Sequence, residues 1–356
     1  MGSEDIKKET AADSSGAKKI VWSIVFVVIA GLTIWAVVSQ SRGLSFGDFI
    51  ECIRTAHPLW LAAAVASMAG YVVFEALAIL ATCRALGYRR SFRDGFIYSS
   101  ADIYFSAITP SSTGGQPACA YFMHSDGITA THSATIIIAF LLMHTASTVV
   151  TGALASVAAP LTITRFSPFP RVFVVVGFIV QIALLSFLSL MSTRERVVTA
   201  LGGAIISVLG KLRIIKDPAS LRERLAASAR EHREKMASLR AMPGVLGKVF
   251  VYSVLNRIAP ILASVFTYLA LGNPAYFLKA FSLQTYVSIG AFCIPIPGSM
   301  GITDYLTLDG FGSIIPGESI IVYDLLSRAI SFYSCIVICG ITVLAAYIAK
   351  RKRRQR

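Results

Sequence analysis

Two long apolar stretches of this chain are each broken near the middle by proline and glycine, and no other feature limits the fold so tightly. Residues 95–123 are interrupted by Thr109-Pro110-Ser111-Ser112-Thr113-Gly114-Gly115-Gln116-Pro117, and residues 280–308 by Pro295-Ile296-Pro297-Gly298-Ser299-Met300-Gly301. Proline removes a backbone donor and glycine weakens a helix, while hydrocarbon supplies no water to satisfy the freed groups. Neither break can face lipid, so each must be buried in protein or line a wet cavity. A matched pair of such interruptions, one in each half of a membrane chain, points to a transporter binding site.

The rest of the chain places these stretches in a membrane. Hydrophobic residues make up 55% of it and charged residues only 15%, too few charges for an ordinary soluble enzyme. The formal charge of +14 suggests an acidic partner at first sight. A nucleic-acid binder would spread its basic residues along one face, whereas here they collect between apolar runs. Crossing the bilayer takes about 20 apolar residues, and six segments qualify as spanning helices: 20–38, 59–85, 133–158, 172–191, 249–271 and 319–349. The first is read as an uncleaved anchor rather than a signal peptide, because its apolar core is long and no A-x-A site follows.

Charge asymmetry sets the orientation. Residues 1–19, 84–94, 192–248 and 350–356 hold 26 of the 33 Lys and Arg, against 5 in 39–57, 159–171 and 272–318. The positive-inside rule puts the rich segments, and both termini, in the cytoplasm. The six spans alternate correctly only if each broken stretch enters and leaves on one side, the first from the cytoplasm and the second from outside. The expected fold is therefore an all-α polytopic membrane protein with six spanning helices and two oppositely oriented re-entrant hairpins, arranged as an inverted repeat. Its parts are a disordered cytoplasmic tail (1–19), a transmembrane domain (20–349) with a basic amphipathic insert (192–248), and a basic tail (350–356). Within the insert, Asp217 before Pro218 predicts a helix N-cap, with Leu221, Leu225, Met236 and Leu239 on one stripe. That helix either lies on the anionic inner leaflet or serves as a loop that carries topological charge, and the second reading is favoured. Residues 197–209, too short to span, lie in the interface or pack as a short helix, and Cys335 and Cys339, four apart, pack on one helix face.

Ionisable groups inside a membrane are costly and mark function by default. Here they are Glu75, Asp102, His144, Arg257, Asp304, Asp324 and Arg328, with Asn256, Gln181 and Gln284 beside them. Asp324 and Arg328 have the spacing of a helical ion pair. Arg257 has no acid at helical spacing and calls for a carboxylate from another helix or an anionic ligand. Helices starting near Gly114 and Ser299 would aim free N–H groups and a positive dipole end at a cavity, as anion sites do. Ser111, Ser112 and Thr113 add hydroxyls at the first opening, Ser299 and Thr303 at the second. Together these give a candidate binding site of Thr109, Ser111, Ser112, Thr113, Gly114, Gly115, Gln116, Arg257, Pro297, Gly298, Ser299, Gly301, Asp304, Asp324 and Arg328. The chain shows no G-x-S-x-G, H-E-x-x-H or P-loop pattern and no metal-ligand spacing. No catalytic residue, metal or cofactor is expected.

The segments Ile108-Thr109-Pro110-Ser111-Ser112-Thr113-Gly114-Gly115-Gln116-Pro117 and Pro295-Ile296-Pro297-Gly298-Ser299-Met300-Gly301-Ile302-Thr303-Asp304, with Asp324-x-x-x-Arg328, resemble the signature segments of the flippase-like membrane domain of lysylphosphatidylglycerol synthases. Gln116 stands where many relatives carry Glu, and Thr303-Asp304 where a Ser-Glu pair is common. The resemblance implies a lipid translocase of the bacterial inner membrane that handles phosphatidylglycerol or its lysyl derivative. In full-length synthases a soluble domain transfers lysine from lysyl-tRNA, and the product confers resistance to cationic antimicrobial peptides. These 356 residues contain no such domain, so the rival reading is a lysyltransferase or its membrane subunit working with a separate soluble acyltransferase. The partners this admits are a phospholipid, that acyltransferase and a second copy of the chain; nucleic acid is not among them.

Overall fold

The computed structural model describes residues 50, 53–211, 217–272, 276–294, 296–315, 317 and 319–354, nearly all in one compact unit spanning residues 51–356. The expected tail 1–19 and first span 20–38 lie outside the described residues, which are helical without a strand. In chain order the helices are α1 (Pro58–Ala85), α2 (Phe92–Ile108), α3 (Gly115–Ser125), α4 (Ala130–Ala158), α5 (Pro168–Thr193) and α6 (Glu195–Lys211). There follow α7 (Pro218–Arg240), α8 (Pro243–Ala270), α9 (Phe277–Ala291), α10 (Ile302–Phe311), α11 (Ser319–Arg328) and α12 (Ser334–Arg354). One π-helical turn, Ala329–Tyr333, joins α11 to α12 without a break.

Among the described residues five helices are long and apolar enough to cross a bilayer: α1, α4, α5, α8 and the continuous run Ser319–Lys352. They coincide with five of the six expected spans. Their outward faces are apolar: Val172, Val175, Val176 and Ile179 of α5 are exposed, as are Val337, Ile338, Ile341 and Leu344 of α12. Hydrocarbon, unlike water, accepts such faces.

Inside the bundle α1 and α8 run antiparallel. The amide of His57 bonds the carbonyl of Ala270 at 2.9 Å, and fourteen residues along each helix Asn256 Nδ2 donates to the carbonyl of Tyr71 at 2.8 Å. Both helices bury small residues, among them Ala64, Ala76, Ala259 and Ala263. Small side chains let helix backbones approach where lipid offers no hydrophobic drive to association. Pro260 sits within α8.

Both broken stretches fold back on themselves. In α2–α3 the Tyr98 hydroxyl, near the start, donates to Asp126 Oδ2, just past the end, at 2.8 Å. In α9–α10, Leu306 packs on Gly290 and Leu283 on Gly310, the contact order of an antiparallel hairpin. The basic ends of several elements converge on Asp126: Lys350 Nζ pairs with its carboxylate at 2.6 Å, and Arg90 bonds its carbonyl.

The insert forms α6 and α7. Asp217 caps α7 as expected, accepting from the Ser220 amide at 3.1 Å. The apolar stripe of α7 is divided between two partners. Met236 and Leu239 are buried against Ala139 of α4, while Leu225 packs on Gly202 of α6. Polar contacts reinforce this docking on α4, with His132 pairing Glu231 at 3.0 Å and Thr135 meeting His232 at 2.9 Å. Packing against the bundle, more than contact with a lipid surface, therefore takes up the C-terminal half of the stripe.

Candidate functional site

The two interruptions make similar turns. Each is a short 3₁₀ turn of the form Pro-x-Ser, Pro110–Ser112 and Pro297–Ser299. In each the serine is left-handed, with φ 54° at Ser112 and 51° at Ser299, a conformation that costs a non-glycine residue about 1–3 kcal/mol. At the first turn Thr109 Oγ1 accepts from the Gly114 amide at 2.9 Å and donates to the Phe105 carbonyl at 2.6 Å. Thr113 Oγ1 donates to the Pro110 carbonyl at 3.0 Å. At the second, Thr303 Oγ1 donates to the Ser299 carbonyl at 2.9 Å.

These turns meet each other in the fold. At Gly298 a Cβ would lie 3.3 Å from the Ala107 carbonyl, near the end of α2, and would overlap the Phe332 ring. Phe332 belongs to the π turn, so that irregular stretch of helix closes the junction. Beside it Arg328 reaches across to α10, where its Nε donates to Asp304 Oδ1 at 2.6 Å and its Nη2 touches the same oxygen without hydrogen-bond alignment. The other Asp304 oxygen accepts from the Gly301 amide at 2.9 Å. Arg328 also stands 5.9 Å from the Phe332 ring centroid. The helical spacing of Asp324 and Arg328 suggested a pair along one helix; the pair the structure forms is between helices, with Asp304.

The helix starts differ from the expected open anion sites. α3 begins at Gly115 and α10 at Ile302, and a carboxylate of the chain itself already faces each. Asp304 caps α10. At α3 a Cβ on Gly115 would overlap Asp102 Oδ1 and Ser106 Oγ, so the Asp102 carboxylate lies directly against the first turn. A positive helix end removed from water draws a counter-charge, and both acids were visible in the sequence only as isolated charges.

Arg257 lies elsewhere. Ser264 of α8 bonds Ser327, next to Arg328, at 2.9 Å. Arg257 is two helical turns from Ser264, so roughly 10 Å along the axis separates the two levels. Its neighbours are Tyr71 and His144, and its Nε and Nη2 are buried without a partner. Glu75, Asp102 and Asn256 form the adjoining part of this inner cluster. The structure thus divides the candidate residues. The tip junction holds Thr109, Ser112, Thr113, Gly114, Gly298, Ser299, Gly301, Asp304 and Arg328, whereas Arg257 belongs to the inner cluster. Asp324 is half-buried and close enough to Asp304 and Arg328 to feel both charges. Gln116 is half-buried in the first turn of α3. Sequence reading missed Phe332 and Tyr71, since an aromatic residue within an apolar run carries no mark of its partners.

A cavity of about 160 Å³ lies apart from these residues, between α4, α5, α7 and α8, with Arg240 on its wall. Residues 20–339 match the family described as the lysylphosphatidylglycerol synthase TM region. The chain belongs to that family. The match takes in both hairpins, the inner cluster and the Asp304–Arg328 pair, and with five bilayer-length helices it makes this a multi-pass membrane protein. No curated protein matches the chain.

Proposed function

We propose that this member of the family is a lipid translocase, which moves the headgroup of a phospholipid or aminoacyl-phospholipid between leaflets. The observation that carries the reading is the meeting of two broken hairpins, with the Asp304–Arg328 ion pair beside the point of contact. In this reading the hairpins are re-entrant from opposite sides and related as an inverted repeat, and the matched Pro-x-Ser turns support that. In the same reading both termini face the cytoplasm of a bacterial inner membrane, an orientation that the charge asymmetry supports. The touching tips represent an occluded state. Parting them on one side exposes Arg328 to a phosphate and frees Asp304 and Asp324 to receive an ammonium group. A zwitterionic or lysylated headgroup satisfies both signs of charge, and exchange of one ion pair for another lowers the cost of desolvation. Pivoting of two repeats about a midplane site is the usual form of alternating access.

The test is reconstitution of the purified chain into vesicles containing fluorescent phosphatidylglycerol, read by quenching of the outer leaflet. Transbilayer movement faster than in empty vesicles, and slowed at least about tenfold in Arg328→Gln, is expected. Equal rates with and without protein, across phosphatidylglycerol, phosphatidylethanolamine and lysyl-phosphatidylglycerol, would sink the proposal. Formation of lysyl-lipid from lysyl-tRNA by the chain alone would favour the lysyltransferase reading instead.

A further inference from the structure

At the level of Asn256 the bundle buries two acids face to face. Glu75 of α1 is 3% exposed and Asp102 of α2 is 8% exposed, and their carboxyl groups stand within hydrogen-bonding reach of each other. Among the described residues no Lys or Arg makes an ion pair with either. Asn256 Nδ2 gives Glu75 Oε2 only a long contact of 3.5 Å, having its better acceptor in the Tyr71 carbonyl. Glu75 Oε1 and Asn256 Oδ1 are both buried without a partner. The other groups facing the pair are Ser106 of α2, Tyr71 of α1, Cys119 of α3, and Cys335 and Cys339 of α12, with His144 and Arg257 next to Asn256.

Two facing carboxylates present only lone pairs to each other, and like charges this close and this buried strongly resist ionising together. A positive charge between them relieves that repulsion. Among the described residues no group of three His, Cys, Asp or Glu able to hold a metal ion forms here. A proton needs two oxygens.

We propose that Glu75 and Asp102 share one exchangeable proton, and that loading and unloading it is coupled to movement of the α2–α3 hairpin. The coupling follows from position, because the Asp102 carboxylate lies against the first turn of α3. Without the proton, or with it on Glu75, Asp102 is anionic and compensates the positive end of α3. With the proton on Asp102 that compensation lapses and the tip is released. The step forms one carboxyl O–H bond on uptake from water and breaks it on release, leaving the pair to alternate between charges of −1 and −2. No heavy-atom bond changes and nothing is oxidised or reduced.

The proposal rests on the lipid-carrier reading for its consequence but not for its site, so two measurements separate them. Infrared spectra of the purified full chain, in water and in heavy water across a pH series, report protonated carboxyl groups directly. A titrating, isotope-sensitive carboxyl band is expected. It should shift to lower pH in Glu75→Gln, by about tenfold or more in proton affinity, and vanish in the Glu75→Gln/Asp102→Asn double variant. Absence of such a band from the unaltered protein, or its persistence in the double variant, overturns the proton site. In vesicles with fluorescent phosphatidylglycerol, a gradient of one pH unit should bias the lipid distribution by up to about tenfold for one coupled proton, and the double variant should lose that bias. Lipid movement indifferent to the gradient overturns the coupling. A titrating band in a protein that moves no lipid supports the proton site and rejects the carrier reading.

Discussion

Asp304 serves two partners at once, which makes it the most heavily committed residue at the hairpin junction. One oxygen caps α10 through the Gly301 amide and the other holds Arg328. Both side chains are largely shielded, at 13% and 11% exposure. Removing one partner of such a pair leaves an uncompensated charge and costs about 3–5 kcal/mol, whereas replacing both with neutral groups costs much less. Asp304→Ala is therefore expected to lower the thermal midpoint in detergent more than Asp304→Asn/Arg328→Met does. A double variant no more stable than Asp304→Ala would show that the pair contributes nothing beyond the cap. Thr109 has the corresponding local duty at the other tip, since its hydroxyl replaces the donor and acceptor that Pro110 and the turn interrupt.

Among the elements, α7 is expected to dock in a pH-dependent way. Burial pushes the His232 imidazole below its ordinary value, with Arg240 nearby acting in the same direction. Neutral in the folded protein, His232 binds a proton more readily once α7 lets go, so the unfolded side gains protons as pH falls. Docking is fully stable above the ordinary histidine range and weakens as pH drops through about 6.5. Hydrogen exchange of α7 amides should thus quicken between pH 7.5 and pH 5.5, and His232→Gln should flatten that response. Equal pH dependence in the variant would show that His232 is not the group responsible. The π turn between α11 and α12 is the other informative element. Its extra residue per turn sets Phe332 against Gly298 while keeping Arg328 directed at Asp304, and irregular turns of this kind are common at functional sites.

For the whole molecule, the decisive question is which ends of the hairpins share a side. In a cysteine-free background, Arg93→Cys and His124→Cys flank the α2–α3 hairpin, while Leu278→Cys and Ser313→Cys flank α9–α10; all four positions are exposed. An impermeant maleimide should label the first pair from the cytoplasmic face only and the second pair from the outer face only. Labelling of Arg93→Cys and His124→Cys from opposite faces would mean that the first stretch spans the membrane. In the second hairpin α9 seats against Gly152 of α4 and Gly177 of α5, and its core joins Phe166, Tyr268, Phe311 and Tyr323. The first hairpin packs on α1 and α12 and contributes Asp102 to the buried acid pair, so the two hairpins differ in polarity.

Five of the spans, both breaks and the α7 cap were legible in the sequence because each depends on local chemistry: apolar length against bilayer thickness, the missing donor of proline, and the reach of an aspartate to its own helix start. The intramembrane charges were legible as individual residues too, since any Asp or Arg within an apolar run stands out. Their pairing was not. Helical spacing suggested Asp324 for Arg328, but a guanidinium on a flexible stem takes whichever carboxylate the neighbouring helix brings, and tertiary packing brought Asp304. Spacing alone likewise left the two helix starts open to an anion and joined Arg257 with Arg328 in one site. The fold set Asp102 and Asp304 at those helix starts and put the arginines two turns apart, because lateral contacts between helices are fixed by the meeting of small-residue faces, to which distance along the chain gives no guide.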